Sequence, residues 1–284
     1  MMQHVQPTPG IAGLDHAVIA VRDLDAAGQT FARMGFTLAP RGVHSTGSSN
    51  HNMMLGSDYL ELLTVPEPNL LQAYFHEFLR RHEGLAALAL TGTDVAAALP
   101  VLAEHGFEPS PPRDFSRDVG QGSRTGTARF RLTNIAPHTT PGAQVFICQH
   151  FTRELVWLPE LQRHANGATG LAAVAFVADN VAYLAGVYGR LFGTWPERID
   201  EGLKVATGGA PLAFCTRQSL QQRLRDVVLP DRALPHAAAL FIHVADRQQA
   251  YRALRDGGFS PRRMADGAWA IDAADAHGVA VVFG

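Results

Sequence analysis

Two residues that could do chemistry lie in stretches of sequence otherwise typical of a protein core. Glu61 stands in "YLELLTV" between Leu60 and Leu62, in a predicted strand that is apolar on both faces. An ionised carboxylate there must be solvated in a cavity, paired with Arg or Lys, or bound to a cation, because burying it alone is costly. His16, in "LDHAVIAV", raises the same question. The alternative for His16 is a structural role, with its ring bonded to a backbone carbonyl.

The strand that carries His16 belongs to a unit that recurs along the chain. The unit is a strand, an acidic residue, a helix and a Gly-Phe pair, and in three copies the aspartate precedes the glycine by twelve positions. These pairs are Asp23 and Gly35, Asp94 and Gly106, and Asp246 and Gly258. A looser copy, "LAAVAFVADN", lies between the second and the last. Repetition of this kind predicts an architecture of tandem modules.

Each part of the unit has a local physical cause. The aspartate can cap the first turn of the helix, and the glycine can adopt the left-handed conformation that ends it. In the first copy Ala27, Phe31 and Met34 follow i, i+4, i+7 spacing and form an apolar stripe. Short extended segments follow each helix; in the second copy they are "FEPSP", "TARFRLTN" and "AQVFICQHF". The unit is therefore βαβββ, and the predicted fold class is α+β.

Four modules divide most naturally into two domains of two modules each. The N-terminal domain is predicted over residues 12–165, with modules 12–66 and 84–152 joined by a linking helix. The C-terminal domain is predicted over residues 166–284. Proline and glycine near residue 165 favour a boundary there.

Composition and charge narrow the class of partner. The formal net charge of −2 gives no electrostatic footprint for nucleic acid or an anionic membrane. Cys148 and Cys215 are too few for a disulfide framework, which suits a reducing compartment. The first residues contain no basic segment followed by an apolar run. We therefore expect a cytoplasmic protein with no nucleic-acid or membrane partner.

The four units resemble the vicinal oxygen chelate superfamily and, more narrowly, its glyoxalase-like branch. The resemblance is carried by "LDHAVIAVRDLDAA", "YLELLTV", "GSSNHNMML" at 47–55 and "QHFTRELVWLPELQRHANG" at 149–167, and it covers nearly all of the chain after residue 12. It implies two cupped half-barrels of eight strands each. The superfamily includes glyoxalases, extradiol dioxygenases, epimerases and metal-free antibiotic-binding proteins, so the resemblance specifies the fold but not the reaction.

In that superfamily, metal ligands come from the first and last strands of each unit. The resemblance implies His16 and Glu61 as ligands from the first unit and His150 as a third. Two histidines and a carboxylate suit Fe(II), Mn(II), Ni(II) or Zn(II) and leave positions open for substrate. The other three units carry alanine where the first carries His16: Ala87, Ala173 and Ala239. We therefore expect one site, in the N-terminal half, and a degenerate C-terminal domain.

Polar residues near these ligands are candidate substrate contacts. His44, Asn50 and His51 lie in "HSTGSSNHNMML", which the resemblance places at the cup; the alternative is a solvated hairpin turn. Gln149 is a further candidate, although its strand register is open by one or two residues.

The glycine-rich stretch 120–130 is predicted to be a flexible hairpin. Within it, Arg124 or Arg129 could meet an anionic substrate.

Two classes of function remain open. The first is a metal-dependent enzyme with isomerase, lyase or dioxygenase chemistry on a small oxygenated molecule, with Glu61 as catalytic base. The second is a metal-free protein that binds a small apolar or aromatic compound, favoured by the alanine at position 87. A dimeric scaffold is a third possibility, against which the polar residues near the cup argue; a homodimer is compatible with either of the first two.

Overall fold

The computed structural model describes residues 6–67, 69, 72–121 and 124–284, apart from the side chains of residues 120, 121 and 124. The first module comprises β1 (Ile11–Ala20), α1 (Leu24–Arg33), β2 (Gly42–Val43), β3 (Ser49–Met54) and β4 (Tyr59–Thr64). The linking helix α2 (Ala73–Arg81) follows. The second module comprises β5 (Gly84–Gly92), α3 (Val95–Glu104), β6 (Arg113–Gln121), β7 (Arg124–Ile135) and β8 (Gln144–His150).

The second half of the chain repeats this order with shorter strands. The third module comprises β9 (Ala168–Val177), α4 (Val181–Phe192), β10 (Glu197–Ile199), β11 (Gly202–Val205) and β12 (Leu212–Cys215). After α5 (Arg217–Leu224), the fourth comprises β13 (His236–Val244), α6 (Arg247–Asp256), β14 (Arg262–Arg263), β15 (Trp269–Ile271) and β16 (Ala280–Phe283). In the described part of the chain, no helix has the length and apolar character needed to cross a membrane.

Within the described residues, each half of the chain forms an eight-stranded sheet. The strand orders are β2-β3-β4-β1-β5-β8-β7-β6 and β10-β11-β12-β9-β13-β16-β15-β14. Two modules meet where their first strands pair antiparallel, β1 with β5 and β9 with β13, and each first strand pairs in parallel with the last strand of its own module. The predicted α+β fold of four βαβββ modules in two half-barrels is confirmed. The predicted boundary at residue 165 falls between β8 and β9 and stays a prediction.

A helix cap at the end of the first strand marks where the chain enters the helix of each module. The side chains of Asp23, Asp94 and Asp246 accept hydrogen bonds from backbone N–H groups in the first turns of α1, α3 and α6, as predicted. In the looser third copy, Asn180 takes this part and caps α4. After α1 the chain turns through Gly35, whose φ of 89° is readily adopted by glycine.

The expected first extended segment of the second module is displaced. "FEPSP" contributes only an isolated bridge between Pro109 and Ile135, and the strand β6 begins at Arg113. Its pairing with β7 over residues 113–121 extends the predicted hairpin into a long two-stranded ribbon. This displacement brings β6 side chains to the rim of the concave face.

The convex faces of the two sheets share one hydrophobic core. Helices α1, α3, α4 and α6 all contribute side chains to it, including Phe31, Leu102, Tyr188 and Leu254. Residues of both halves meet directly there, since the rings of Phe36 and Phe283 lie 5.8 Å apart. The concave faces therefore point away from each other, and different side chains or ligands can pack against each of them.

The two concave faces differ in what covers them. In the C-terminal sheet, α5 and the segment after it pack Leu220, Leu224 and Val227 into the cup. In the N-terminal sheet, α2 covers only one end, where Phe75 packs against Val18 and Leu63. An apolar plug thus covers part of the C-terminal cup, beside a pocket lined by Arg223, Phe241 and Val282. The N-terminal cup keeps a cavity over its central strands.

Candidate active site

A β-bulge in β1 brings two adjacent polar side chains together. Pairing with β5 sets Leu14 opposite Leu90 and His16 opposite Ala89, so Asp15 is the extra residue. Nδ1 of His16 lies 2.7 Å from Oδ2 of Asp15. Leu14, which simple alternation places on the face of His16, packs instead into the shared core.

The second ring nitrogen of His16 faces Glu61. Nε2 lies 3.4 Å from Oε2 of Glu61 and 3.5 Å from the hydroxyl oxygen of Tyr59. The rings of His16 and Tyr59 stack with centroids 4.1 Å apart, and Phe146 meets the imidazole edge-on at 5.5 Å. Both nitrogens and one ring face of His16 are thus held by neighbours, and the residue is only 3% exposed.

Amide side chains on β3 hold the carboxylate of Glu61. Asn52 pairs with Glu61 across β3 and β4, and Asn50 lies two residues earlier on the same face. Nδ2 of Asn50 donates to Oε1 of Glu61 at 2.6 Å and to Oδ1 of Asn52 at 3.1 Å. One carboxylate oxygen is therefore fixed by an amide, and the other points to His16.

The two carboxylates that flank His16 determine its charge. Burial alone lowers the pKa of His16, but its hydrogen bonds to Asp15 and Glu61 and their charges outweigh burial and raise the pKa to about 9. Burial also opposes ionisation of Asp15 and Glu61, yet their bonds to histidine hold both pKa values below the ordinary range. In the protein alone, His16 is a cation between two carboxylates at neutral pH.

His150, the predicted third ligand, contacts Asp15 and not the pair formed by His16 and Glu61. Its Nε2 lies 3.3 Å from Oδ2 of Asp15 and 3.4 Å from Sγ of Cys148. Among the described residues, the candidate metal ligands that form a group of three within 4.8 Å are Asp15, Cys148 and His150. Burial and the charge of Asp15 raise the pKa of Cys148 well above its usual range in the metal-free protein, and a bound metal ion would displace the thiol proton, so this group is a second candidate metal site. This cluster holds Asp15 in place beside His16.

The register of β8 explains where His150 lies. Val18 pairs with Glu61 in the first module, and Ala89, its counterpart in the second, pairs with Phe146. Phe146 therefore occupies the position of Glu61, and His150 lies four residues farther along β8.

The remaining positions equivalent to His16 and Glu61 are also apolar. Ala87 corresponds to His16 in the second module. In the C-terminal sheet the counterparts are Ala173, Ala239, Ala213 and Val282. Of the eight equivalent positions, all of them among the described residues, the two in the first module carry donor side chains.

A cavity of about 130 Å³ opens onto His16 and Glu61 from the concave face. Aromatic rings form much of its wall, namely Phe75, Phe115, Phe130 and Phe146. Two predicted substrate contacts, His44 and Asn50, line it as well. Nδ1 of His44 lies 2.8 Å from Oγ of Ser48, and burial lowers the pKa of His44, which favours the neutral ring.

The other two predicted substrate contacts lie on the opposite side of the sheet. Nδ1 of His51 donates to the carbonyl of Ala39 at 2.9 Å, and the ring lies beside Gly28 of α1. Gln149 accepts from the N–H of Val95 at 3.3 Å, at the start of α3. Strand alternation separates His51 from Asn50, and Gln149 from His150, so neither side chain reaches the cavity.

Sequence reasoning missed three charged residues of the site. Asp15 precedes His16 directly, and the bulge that brings them together has no signal in the apolar pattern of the strand. Arg113 and Arg117 line the cavity from β6, and their period-2 spacing around Phe115 is a signal that could have identified them.

Of the two arginines proposed from the glycine-rich hairpin, Arg129 does not take this position. Arg129 is exposed on β7, on the face opposite to Phe130. The side chain of Arg124 lies outside the described residues.

The donor set allows a test of whether a divalent metal fits. An ion bonded to His16 Nε2 and Glu61 Oε2 at about 2.1 Å each can span their 3.4 Å separation. Asp15 on Nδ1 completes the carboxylate–histidine arrangement that orients metal-binding imidazoles. The residues fit an ion held by two protein ligands, with its other positions left to water or substrate.

The paired βαβββ modules and their cupped sheet define a protein of the vicinal oxygen chelate superfamily. The sequence model of the glyoxalase-like domain family matches residues 14–192, and the chain belongs to this family. A comparison with curated proteins finds no match.

Solved structures share the fold at low sequence identity. A hypothetical protein from Staphylococcus aureus is 15% identical, with a TM-score of 0.68 over 95% of this chain and 98% of that one. A mutant of 4-hydroxymandelate synthase from Streptomyces coelicolor is 17% identical, with a TM-score of 0.56 over 91% of this chain and 77% of that one. A xylose isomerase-like TIM barrel/4-hydroxyphenylpyruvate dioxygenase fusion protein is 16% identical, with a TM-score of 0.57 over 98% of this chain and 50% of that one. At these identities the likeness concerns the fold alone.

Proposed function

We propose that the N-terminal cavity is the active site of a metal-dependent enzyme that acts on a small oxygenated organic compound. The observation that carries the proposal is that His16 lies between two carboxylates, with Asp15 at one ring nitrogen and Glu61 at the other. Asp15 occupies Nδ1 of His16, which leaves Nε2 directed at Glu61 and the cavity. A carboxylate behind a histidine is the usual support of a metal-ligating imidazole.

The chain's own residues supply positioning and proton transfer. His16 and Glu61 would hold the ion, which as a Lewis acid stabilises negative charge that develops on a substrate oxygen. Asn50 fixes Oε1 of Glu61, so Oε2 would be the oxygen that takes a proton from a carbon next to a carbonyl, provided that Glu61 leaves the ion during turnover. The aromatic wall excludes water from the reacting atoms. These parts suit isomerase, lyase or dioxygenase chemistry.

A metal-free binding protein is the second candidate function. Ala87 and Phe146 favour it, because catalytic metal sites usually have three protein ligands and here two positions are apolar. In that case His16 and Glu61 form a buried ion pair that contacts the bound compound directly.

Metal content separates the two candidates. Protein purified without chelator is analysed for Fe, Mn, Ni and Zn, then stripped and titrated with each ion. We expect one ion per chain in the wild type and loss of binding in His16→Ala and Glu61→Gln. His51→Ala is the matched control, since His51 lies behind the same sheet, and it should bind as the wild type does. If none of the four ions binds stoichiometrically, the enzyme proposal is overturned and the second candidate is favoured.

A further inference from the structure

Two arginines on β6 face the mouth of the cavity. Alternation along the strand directs Arg113, Phe115 and Arg117 to one side, and all three line the cavity. Arg117 is partly buried and Arg113 is exposed. Arg117 also lies close enough to His44 for its charge to contribute to the lowered pKa of that ring, after the larger effect of burial. Positive charge therefore reaches from the rim into the cavity.

Neither guanidinium has an ion-pair or hydrogen-bond partner among the described residues. The acidic residues of β6 lie on its other face. There Asp114 forms a bidentate ion pair with Arg131, and Asp118 accepts a hydrogen bond from the hydroxyl of Thr127. On the outward face Arg131 is thus neutralised by Asp114, whereas Arg113 and Arg117 at the cavity have no such partner among the described residues. Unpaired guanidinium groups at a cavity are suited to bind a carboxylate or a phosphate.

The cavity beneath the arginines has the size and surface of a site for a single ring. The rings of Phe115 and Phe130 stack with centroids 4.7 Å apart and 14° between planes, and Phe146 forms part of the floor beside His16. The volume of about 130 Å³ is close to the ~150 Å³ of an apolar protein cavity that binds one benzene molecule.

The positions of the arginines fix the direction in which an acid would enter. His16 and Glu61 line the inner end of the cavity, where their side chains already have hydrogen-bond partners. Arg113 and Arg117 lie at the open end, without a partner among the described residues, where they can bind an anion. A ligand with its acid group at the mouth places its other substituents against His16 and Glu61.

We infer that the site takes a small carboxylic acid with one planar ring, whose carboxylate is bound by Arg113 and Arg117. This inference names the substrate class of the proposed function and rests on it for the reacting end of the ligand.

Binding of benzoate, benzamide and phenyl phosphate tests the inference. Benzamide has the shape of benzoate without its charge, and phenyl phosphate carries the other anion. We expect the wild type to bind benzoate roughly tenfold or more tightly than benzamide. Arg117→Gln and the Arg113→Gln/Arg117→Gln pair should lose that preference and keep their affinity for benzamide, which reports an intact cavity. Arg129→Gln, on the outward face of the same hairpin, is the matched control and should keep the preference.

Three results would overturn the inference: equal affinity for benzoate and benzamide, an unchanged preference in the arginine variants, or no binding of any probe at millimolar concentration. Phenyl phosphate binding more than tenfold tighter than benzoate would overturn the choice of carboxylate. If the protein binds metal stoichiometrically but does not prefer benzoate to benzamide, only this inference is overturned. If it prefers benzoate but binds no metal, only the enzyme proposal is overturned.

Discussion

Phe146 occupies on β8 the register position that Glu61 occupies on β4. Both residues lie opposite equivalent positions of the paired first strands, Ala89 and Val18. The phenyl ring of Phe146 contacts the edge of His16, so it stands where a further ligand to the same ion would stand. Of the four equivalent positions in the N-terminal cup, the two from the first module are thus polar and the two from the second module are apolar.

Replacing Phe146 with glutamate should supply a third ligand. We expect Phe146→Glu to bind divalent metal roughly tenfold or more tightly than the wild type. Without metal it should be less stable than Phe146→Leu, because an added carboxylate would lie partly buried beside the carboxylate of Glu61. Isothermal titration and chemical denaturation, each with and without metal, measure both effects. If metal affinity in Phe146→Glu equals that in Phe146→Leu, ions do not bind between His16 and this position.

Asp15 should control metal affinity without touching the ion. Asp15→Asn keeps an oxygen that can accept from Nδ1 of His16 but removes the negative charge. Loss of such a supporting group typically weakens metal binding by about 10- to 100-fold, and we expect a decrease in this range. Competition with a chromogenic chelator measures it. An affinity within twofold of the wild type would reduce Asp15 to a packing role.

Gln149 should stabilise helix α3 and not the bound ligand. Its side chain accepts from Val95 N–H and donates to the carbonyl of Thr93 at 3.1 Å. Gln149→Ala should lower the free energy of unfolding by about 1 kcal/mol and leave metal and benzoate affinity unchanged. Urea denaturation and ligand titration of the same sample check both. If Gln149→Ala binds benzoate or metal more weakly while its stability is unchanged, Gln149 contributes to the site and not to helix α3.

Asp58 should make stability fall as the pH rises. Burial raises its pKa to about 6, although the N–H of Leu171 donates to it at 3.0 Å across the junction of the two halves. A folded-state pKa above the unfolded one means that the folded protein holds the proton more tightly. The contribution of Asp58 to stability is therefore present at pH 4 and lost as the pH rises through about 6.

The variant Asp58→Asn isolates this effect, because the amide oxygen can still accept from Leu171. We expect the two proteins to differ little at pH 4 and the variant to be more stable by about 2 kcal/mol at pH 7. Denaturation curves at several pH values give the difference. A constant difference across this range would show that Asp58 does not titrate there.

The sequence predicted the modules because each depends on local signals. Asp23, Asp94 and Asp246 cap their helices regardless of what the sheet does, and the repeated spacing made the βαβββ unit visible. The pairing of His16 with Glu61 followed from the resemblance to the vicinal oxygen chelate superfamily, in which ligands come from the first and last strands of a unit.

The parts that sequence reasoning missed depend on non-local geometry. The bulge at Asp15 arises from the pairing of β1 with β5 and leaves no mark on the apolar pattern. The register of β8 decided that Phe146, and not His150, faces the position of a ligand. The same limit applied to Gln149, whose orientation depends on a shift of one residue.

The antiparallel pair β1 and β5 marks an approximate twofold axis that exchanges the two modules of the cup. In a symmetric cup, a ligand turned by half a revolution would meet the same groups. Here the turn exchanges His16 and Glu61 for Ala87 and Phe146, so only one orientation brings a reacting atom to the carboxylate. In the proposed enzyme, a planar substrate would then present a single face to Glu61, and any new stereocentre formed there would have one handedness.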